Sequence, residues 1–527
     1  MRRIFSLYLL FILIHNADAS DGYPRRLNSD VLHYEFALSI NDSTDRIGGR
    51  ARILLKLDHS SDSVYFDLMC KNMKGKGMEV TDVTATEVDV TWKHISDRLI
   101  VFFNRNSVKI DTMEFVIEYG GIPEDGLIIS SNKFGNRTFF ADHWPDRAHC
   151  YLPCVDHPYD KSSVDFLITA PDRYKIIANG ILIEESDLPG NFSFTHWKET
   201  IPLATKVMTF GAAEFAIKSA GVYNHIPVWT WVYPENRNEG FYDYSVAMRP
   251  LEYFSTIIGK YPYLKLANVQ SKTIYGGLEN AGTIFYSENS VSGKGKVEGL
   301  MAHEIAHQWF GNSVSEADWH HIWLSEGFAT YLTSLYFESL KGKERLRNDL
   351  ISARTRVIKY YETNRKPLID TTETILADLL NPNSYQKGAW VLHMLRHEIG
   401  DEAFMKGLQL YYKRFCNRTA LSADFINIME EVSERNLKTF FKQWLYLPGH
   451  PQLKIWHKPG IQKGTFEVYI EQLQNNIFEF NIELLIKELS GEKVKNVFVR
   501  ERTTKVIVSA LNEIEIIPDP NVNLLFN

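Results

Sequence analysis

Residues 303–312 read HEIAHQWFGN, and after eighteen intervening residues His307 is followed by Glu326, in WLSEGFATY. Positions i and i+4 of a helix share a face, so His303 and His307 point the same way from one helix. A carboxylate joins them only if a second segment packs across that face. The pattern therefore demands two elements in close contact, and the middle of the chain has to be built around that contact. Two imidazoles and one carboxylate make a three-ligand metal set with an open fourth position, which marks a catalytic zinc rather than a structural one. Glu304, one step round the helix, can reach a water at that position without binding the metal. With 17 histidines in the chain, an accidental H-E-x-x-H arises in roughly a few per cent of such sequences. The neighbouring motifs therefore carry much of the weight.

At 527 residues, the chain has room for about two to four domains. Its formal charge of −7 is spread along the sequence, which argues against nucleic acid as the main partner. Residues 1–19 read as a signal peptide: Arg2 and Arg3, an apolar run over 4–14, then Ala17-Asp18-Ala19 as the cleavage site. That run is too short to span a bilayer, and no later run is long enough. An exported protein, periplasmic or secreted after cleavage near Ala19, is expected. Four cysteines do not make a disulfide scaffold. Cys150 and Cys154, flanked by His149 and His157, could pair or hold a second metal, but buried thiols in a turn are the preferred reading. Nothing in the sequence specifies an oligomeric state.

Hydrophobic periodicity divides the chain into three parts. Over residues 20–215 the period is two, as in Leu32, Tyr34, Phe36, Leu38 and Ile40, and this predicts an antiparallel β domain. Asn179-Gly180, between apolar runs at 174–177 and 181–183, signals a hairpin. Residues 216–450 turn helical: 241–258, 296–310, the helix carrying Glu326 to about 340, 344–361, 385–398 and 402–415. A last helix runs from an N-cap candidate, Ser422, to about 444. Residues 451–527 return to strands, at 465–470, 478–485 and 505–508, as a small β-sandwich-like domain. The expected fold class is multidomain α+β.

Gly276-Gly277-Leu278-Glu279-Asn280 lies upstream of the histidine motif, and Ser384-Tyr385-Gln386-Lys387-Gly388 downstream. In this order and spacing the three motifs resemble those of the M1 family of zinc aminopeptidases, the group that includes aminopeptidase N and leukotriene A4 hydrolase. Residues 151–158 also resemble a segment of that family's N-terminal domain. The resemblance implies a thermolysin-like, mainly helical catalytic domain holding one zinc per chain on His303, His307 and Glu326. It implies that Glu304 activates the zinc-bound water and that Tyr385 helps zinc to stabilise the oxyanion. Glu279 would hold the free α-ammonium of a peptide, and Gly276 and Gly277 would let the peptide backbone approach as an added strand.

Departures from the family pattern are also visible. Leu278 replaces a methionine, and Thr333 replaces a glutamate that follows the third ligand. Asp142, His143 and Trp144 occupy the region of a substrate-binding glutamine. The resemblance implies a short form without the family's large helical C-terminal domain, so the site is expected to be more open or closed by a partner subunit. His320, His321, His393 and His397 read as surface or packing residues. Two other readings stand beside an aminopeptidase acting on peptides with a free N-terminus: an endopeptidase or amidase on the same zinc site, and a non-catalytic peptide-binding protein.

Overall fold

The computed structural model describes residues 21–527 apart from 27, 59, 60, 87, 105–110 and 511. The signal peptide read at 1–19 lies outside the described residues. Among those residues no helix is long and apolar enough to cross a membrane.

The N-terminal part is built on a seven-stranded sheet in the order Ile181–Leu188, Phe192–Leu203, Ser162–Pro171, Ser29–Ser39, Ile47–Leu57, Thr112–Ile122, Gly77–Ala85. Its neighbours are antiparallel except Ser29–Ser39 and Ser162–Pro171, which run parallel with His33 opposite Ser163. Tyr34, Phe36 and Leu38 fill its core side as the alternation predicts. Leu32 does not and is 38% exposed. A register shift between Val31 and His33 puts Val31 on the buried face in its place.

Asn179-Gly180 is not a hairpin. Lys175–Ala178 pairs with Phe210–Ala213 in a four-stranded sheet, whereas Ile181–Leu188 pairs with Phe192–Leu203 in the large one. The dipeptide is a corner between the two sheets, with Gly180 at φ +74°. The Asn179 side chain donates to the carbonyls of Val207 and Ala281 and accepts from the Thr209 N–H. It ties the corner to segments distant in sequence rather than closing a local turn.

The middle of the chain opens with a five-stranded sheet, ordered Ala216–Tyr223, Ile226–Val232, Leu266–Ser271, Thr283–Ser287, Gly277–Leu278. Gly277–Leu278 is the last strand, antiparallel to Thr283–Ser287. Nine α-helices follow or interleave: α1 (Arg237–Asp243), α2 (Met248–Ile257), α3 (Glu298–His307), α4 (Trp323–Lys341), α5 (Lys343–Thr363), α6 (Gly388–Ile399), α7 (Asp401–Phe415), α8 (Ser422–Ser433) and α9 (Lys438–Tyr446). The expected helix over 422–444 is thus two, because Glu434 turns left-handed at φ +54° and ends α8. Ser422 does not cap α8 either. Its hydroxyl accepts from Trp323 Nε1 and bonds His321 Nδ1, while the Asp424 carboxylate accepts the Leu421 N–H.

Residues 453–518 form two three-stranded sheets. One holds Leu453–Pro459, Thr465–Gln472 and Thr503–Ser509, and the other Gly491–Val499, Phe480–Glu488 and Glu515–Pro518.

Candidate active site

α3 and α4 bring the three predicted ligand residues together. His303 Nε2 lies 3.1 Å from His307 Nε2, and Glu326 Oε2 is 3.4 and 3.3 Å from these two nitrogens. His307 Nδ1 contacts the Phe310 carbonyl at 3.2 Å. A carbonyl only accepts, so Nδ1 carries a proton and Nε2 is the nitrogen that faces the cluster, free to bind a metal once it is deprotonated. Among the described residues this is the one group of three side chains whose donor atoms converge in this way. Imidazole nitrogen with carboxylate oxygen is a donor set that suits zinc.

The electrostatics of the cluster are mutual. Burial opposes a charge on His307, but the Glu326 carboxylate outweighs it and lifts His307 to about 9. Burial likewise opposes ionisation of Glu326, yet the facing histidines hold it well below the usual carboxylate range. Burial pulls His303 below its ordinary value.

Glu304 projects from α3 beside the cluster and is buried. Burial pushes its carboxyl well above the usual range, with His307 pulling it down and Glu279 and Glu326 pushing it up further. It packs against Gly277 so closely that a Cβ there would lie 2.4 Å from Glu304 Oε1. Gly277 thus makes room for the carboxylate, in addition to the backbone access read from the sequence. Gly277→Ala should displace Glu304 and cut kcat by about tenfold or more while leaving KM nearly unchanged. If the reading implied by the family resemblance holds, steady-state kinetics on one peptide substrate checks this, and an unchanged kcat would count against the contact.

Glu279 faces the same cavity. It is buried, and its Oε1 has no hydrogen-bond partner among the described residues. Its backbone carbonyl accepts from Gln308 Nε2 at 2.7 Å and from Asn312 Nδ2 at 2.6 Å, while Gln308 Oε1 accepts from the Gly282 N–H. Gln308 and Asn312 belong to HEIAHQWFGN, but the motif's spacing assigns them no task. They bind the Glu279 loop to the end of α3, a contact that closes only in three dimensions.

Tyr385 sits on one turn of π-helix, Asn383–Lys387, immediately before α6, so α6 starts later than the sequence pattern predicts. Its ring stacks on His303 with centroids 6.0 Å apart. Burial, together with Glu326, Glu279 and Glu304, pushes the phenol well above its ordinary value, which keeps it a proton donor. Gly327 on α4 and Gly388 at the start of α6 touch, since a Cβ on Gly327 would lie 2.9 Å from the Gly388 Cα. That crossing seats the tyrosine turn against the helix carrying Glu326.

One cavity of about 250 Å³ is lined by all eight residues predicted from the sequence: Gly276, Gly277, Glu279, His303, Glu304, His307, Glu326 and Tyr385. Sequence reasoning missed Tyr275, Leu300 and Leu380, which complete its walls together with Trp144 and Leu278. The three residues in the family's glutamine region separate clearly. Asp142 accepts from Thr273 and Ile274 and pairs with Arg147, and His143 bonds the Thr205 carbonyl and the Tyr151 hydroxyl. Only Trp144 of the three reaches the cavity.

Other candidates stay outside the site. The Thr333 hydroxyl donates to the Ala329 carbonyl within its own helix. Cys150 and Cys154 are free and buried, and burial pushes both thiols up. His149 pairs with Asp156 and His157 with Asp21, so neither is turned to a shared metal. His320, His321 and His393 are buried and hydrogen-bonded, to the Glu373 carbonyl, the Ser422 hydroxyl and the Tyr331 hydroxyl respectively, while His397 is exposed.

Residues 31–207 match the Peptidase M1 N-terminal domain model, and residues 242–444 match the Peptidase family M1 domain model. The chain is 26% identical to a leucyl aminopeptidase of Saccharolobus solfataricus over 94% of its own length and 62% of the relative's. It is 27% identical to the glutamyl aminopeptidase of Sus scrofa over 60% of its length, which is 35% of that protein. The chain therefore spans less than two thirds of these relatives. In fold it is similar to Legionella pneumophila aminopeptidase A in complex with aspartic acid, with a TM-score of 0.80 at 16% identity over 96% of this chain and 60% of that one. Two models of one family, matched in order over both the β-rich N-terminal part and the part that holds the site, show that the chain belongs to peptidase family M1.

Proposed function

We propose that this chain is a zinc-dependent aminopeptidase that removes the first residue from peptides. The observation that carries the reading is the buried Glu279 carboxylate, with Oε1 unpartnered, in the same cavity as the His303–His307–Glu326 cluster. An unpaired buried carboxylate is costly unless a cation arrives, and a peptide's α-ammonium is that cation. His303, His307 and Glu326 would hold one zinc per chain. When bound, zinc supplies a Lewis acid that acidifies water and polarises a carbonyl.

The remaining work falls to side chains of this chain. Glu304 takes the proton from the attacking water and delivers it to the leaving amine. Tyr385 donates its phenolic O–H to the oxygen on which negative charge develops. Gly277–Leu278, as the last strand of its sheet, offers an edge along which a peptide can lie extended. Tyr385→Phe should lower kcat by about a hundredfold with little change in KM, the usual cost of one oxyanion donor. A comparable rise in KM with kcat unchanged would instead mark a binding role.

The domain division at residues 20–215, 216–450 and 451–527, and export after cleavage near Ala19, belong to the same proposal. Relatives named for leucine and for glutamate both match at about a quarter identity, so kinship leaves the first residue open.

The test is a panel of free and N-acetylated peptide amides with wild type and Glu279→Gln. Wild type should cleave only the free forms, and Glu279→Gln should raise KM for them by about ten- to a hundredfold, the range of one charged contact. Efficient cleavage of acetylated peptides would point to an endopeptidase or amidase, and no cleavage of either form to a binding protein.

A further inference from the structure

We propose that the cavity selects a neutral, apolar first residue, aliphatic or aromatic, and rejects aspartate and glutamate. This rests on the aminopeptidase reading above and adds the class of substrate. Beyond the cluster and its acids, the cavity is walled by Trp144, Tyr275, Leu278, Leu300 and Leu380. Trp144 and Tyr275 meet nearly edge to face, with ring centroids 6.0 Å apart, and so form a fixed aromatic wall. Leu300 precedes His303 by three residues and Glu304 by four, which puts it on their face of α3. Leu380 stands just before the turn that carries Tyr385. A hydrocarbon side chain entering here covers apolar surface on several sides.

Charge points the same way. Apart from the two histidines, the charged side chains lining the cavity are Glu279, Glu304 and Glu326, and no lysine or arginine is among them. The arginine behind the aromatic wall, Arg147, donates to Asp125, Asp142 and the Trp144 carbonyl, so its guanidinium is already engaged. An acidic first side chain would be desolvated beside three carboxylates with no lysine or arginine to meet it. A basic side chain is also poorly served. Glu326 belongs to the ligand set, Glu279 takes the α-ammonium and Glu304 must stay free to accept a proton, so a second cation would compete with the first.

The experiment measures kcat/KM of the zinc-loaded enzyme for leucine, phenylalanine, arginine, aspartate and glutamate amides. In parallel, calorimetry measures binding of free leucine and free aspartate to zinc-loaded Glu304→Gln, a readout that needs no turnover. Leucine and phenylalanine amides should exceed aspartate and glutamate amides by about a hundredfold or more, and leucine should bind where aspartate does not. Leu380→Arg, which puts a cation on the wall, should raise the glutamate-to-leucine ratio by about tenfold. An acidic amide within about threefold of leucine, or an unchanged ratio in folded Leu380→Arg, would overturn the proposal. If no amide is cleaved, the aminopeptidase reading fails, and the calorimetry still decides the pocket: tighter aspartate than leucine would overturn this inference.

Discussion

Glu304→Ala should leave a folded chain that still binds one zinc and turns peptides over about a thousandfold to ten-thousandfold more slowly, the upper range for loss of a general base. The geometry separates the two effects. Glu304 lies outside the three-residue cluster, so its removal takes no donor atom from the metal set. It does take away the carboxylate packed against Gly277 and lining the cavity floor. Metal analysis and kinetics on the same sample check both halves. Full zinc with more than a tenth of wild-type kcat would sink Glu304 as the base, and lost zinc would reassign it as a ligand. The pH profile adds a sign. Burial holds the Glu304 carboxyl above its ordinary value of about 4.3, and a base is lost once protonated, so activity falls as pH drops through that raised value. A profile flat down to pH 4 would contradict this.

How much of this was legible beforehand depended on how local each cause is. His303 and His307 were readable because a helix fixes the i, i+4 geometry by itself, and Glu326 because its motif has a characteristic spacing from them. Family motifs likewise supplied Glu279 and Tyr385. What stayed hidden was decided by contacts across the fold. Asn312 binds the Glu279 carbonyl from 33 residues away, and Leu380 reaches the cavity from the segment before α6. Neither leaves a trace in a periodicity. Asn179-Gly180 has turn chemistry, but that chemistry does not say whether the strands on either side share a sheet. Leu32 obeyed period two on paper, and one bulge moved it outward. The break at Glu434 carries no glycine or proline to announce it.

His307→Ala should lose the metal outright, with zinc absent after dialysis against a mild chelator and activity reduced to background. The same residue predicts how the wild type exchanges protons for zinc. Without metal, the Glu326 carboxylate holds His307 at about 9 against the opposing effect of burial, so between pH 6.5 and 8.5 the imidazole is mostly protonated. A protonated nitrogen cannot bind, and zinc must therefore expel that proton. Apparent zinc affinity should rise by about tenfold per pH unit over this range and level off near pH 9, with about one proton released per zinc. Calorimetric titration in buffers of different ionisation enthalpy counts the protons directly. Glu326→Gln removes the charge that raises His307, so its remaining affinity should depend far less on pH even though it is weaker overall. A wild-type affinity that stays flat from pH 6.5 to 8.5, or a slope that survives in Glu326→Gln, would mean that the His307–Glu326 pair does not control entry of the metal.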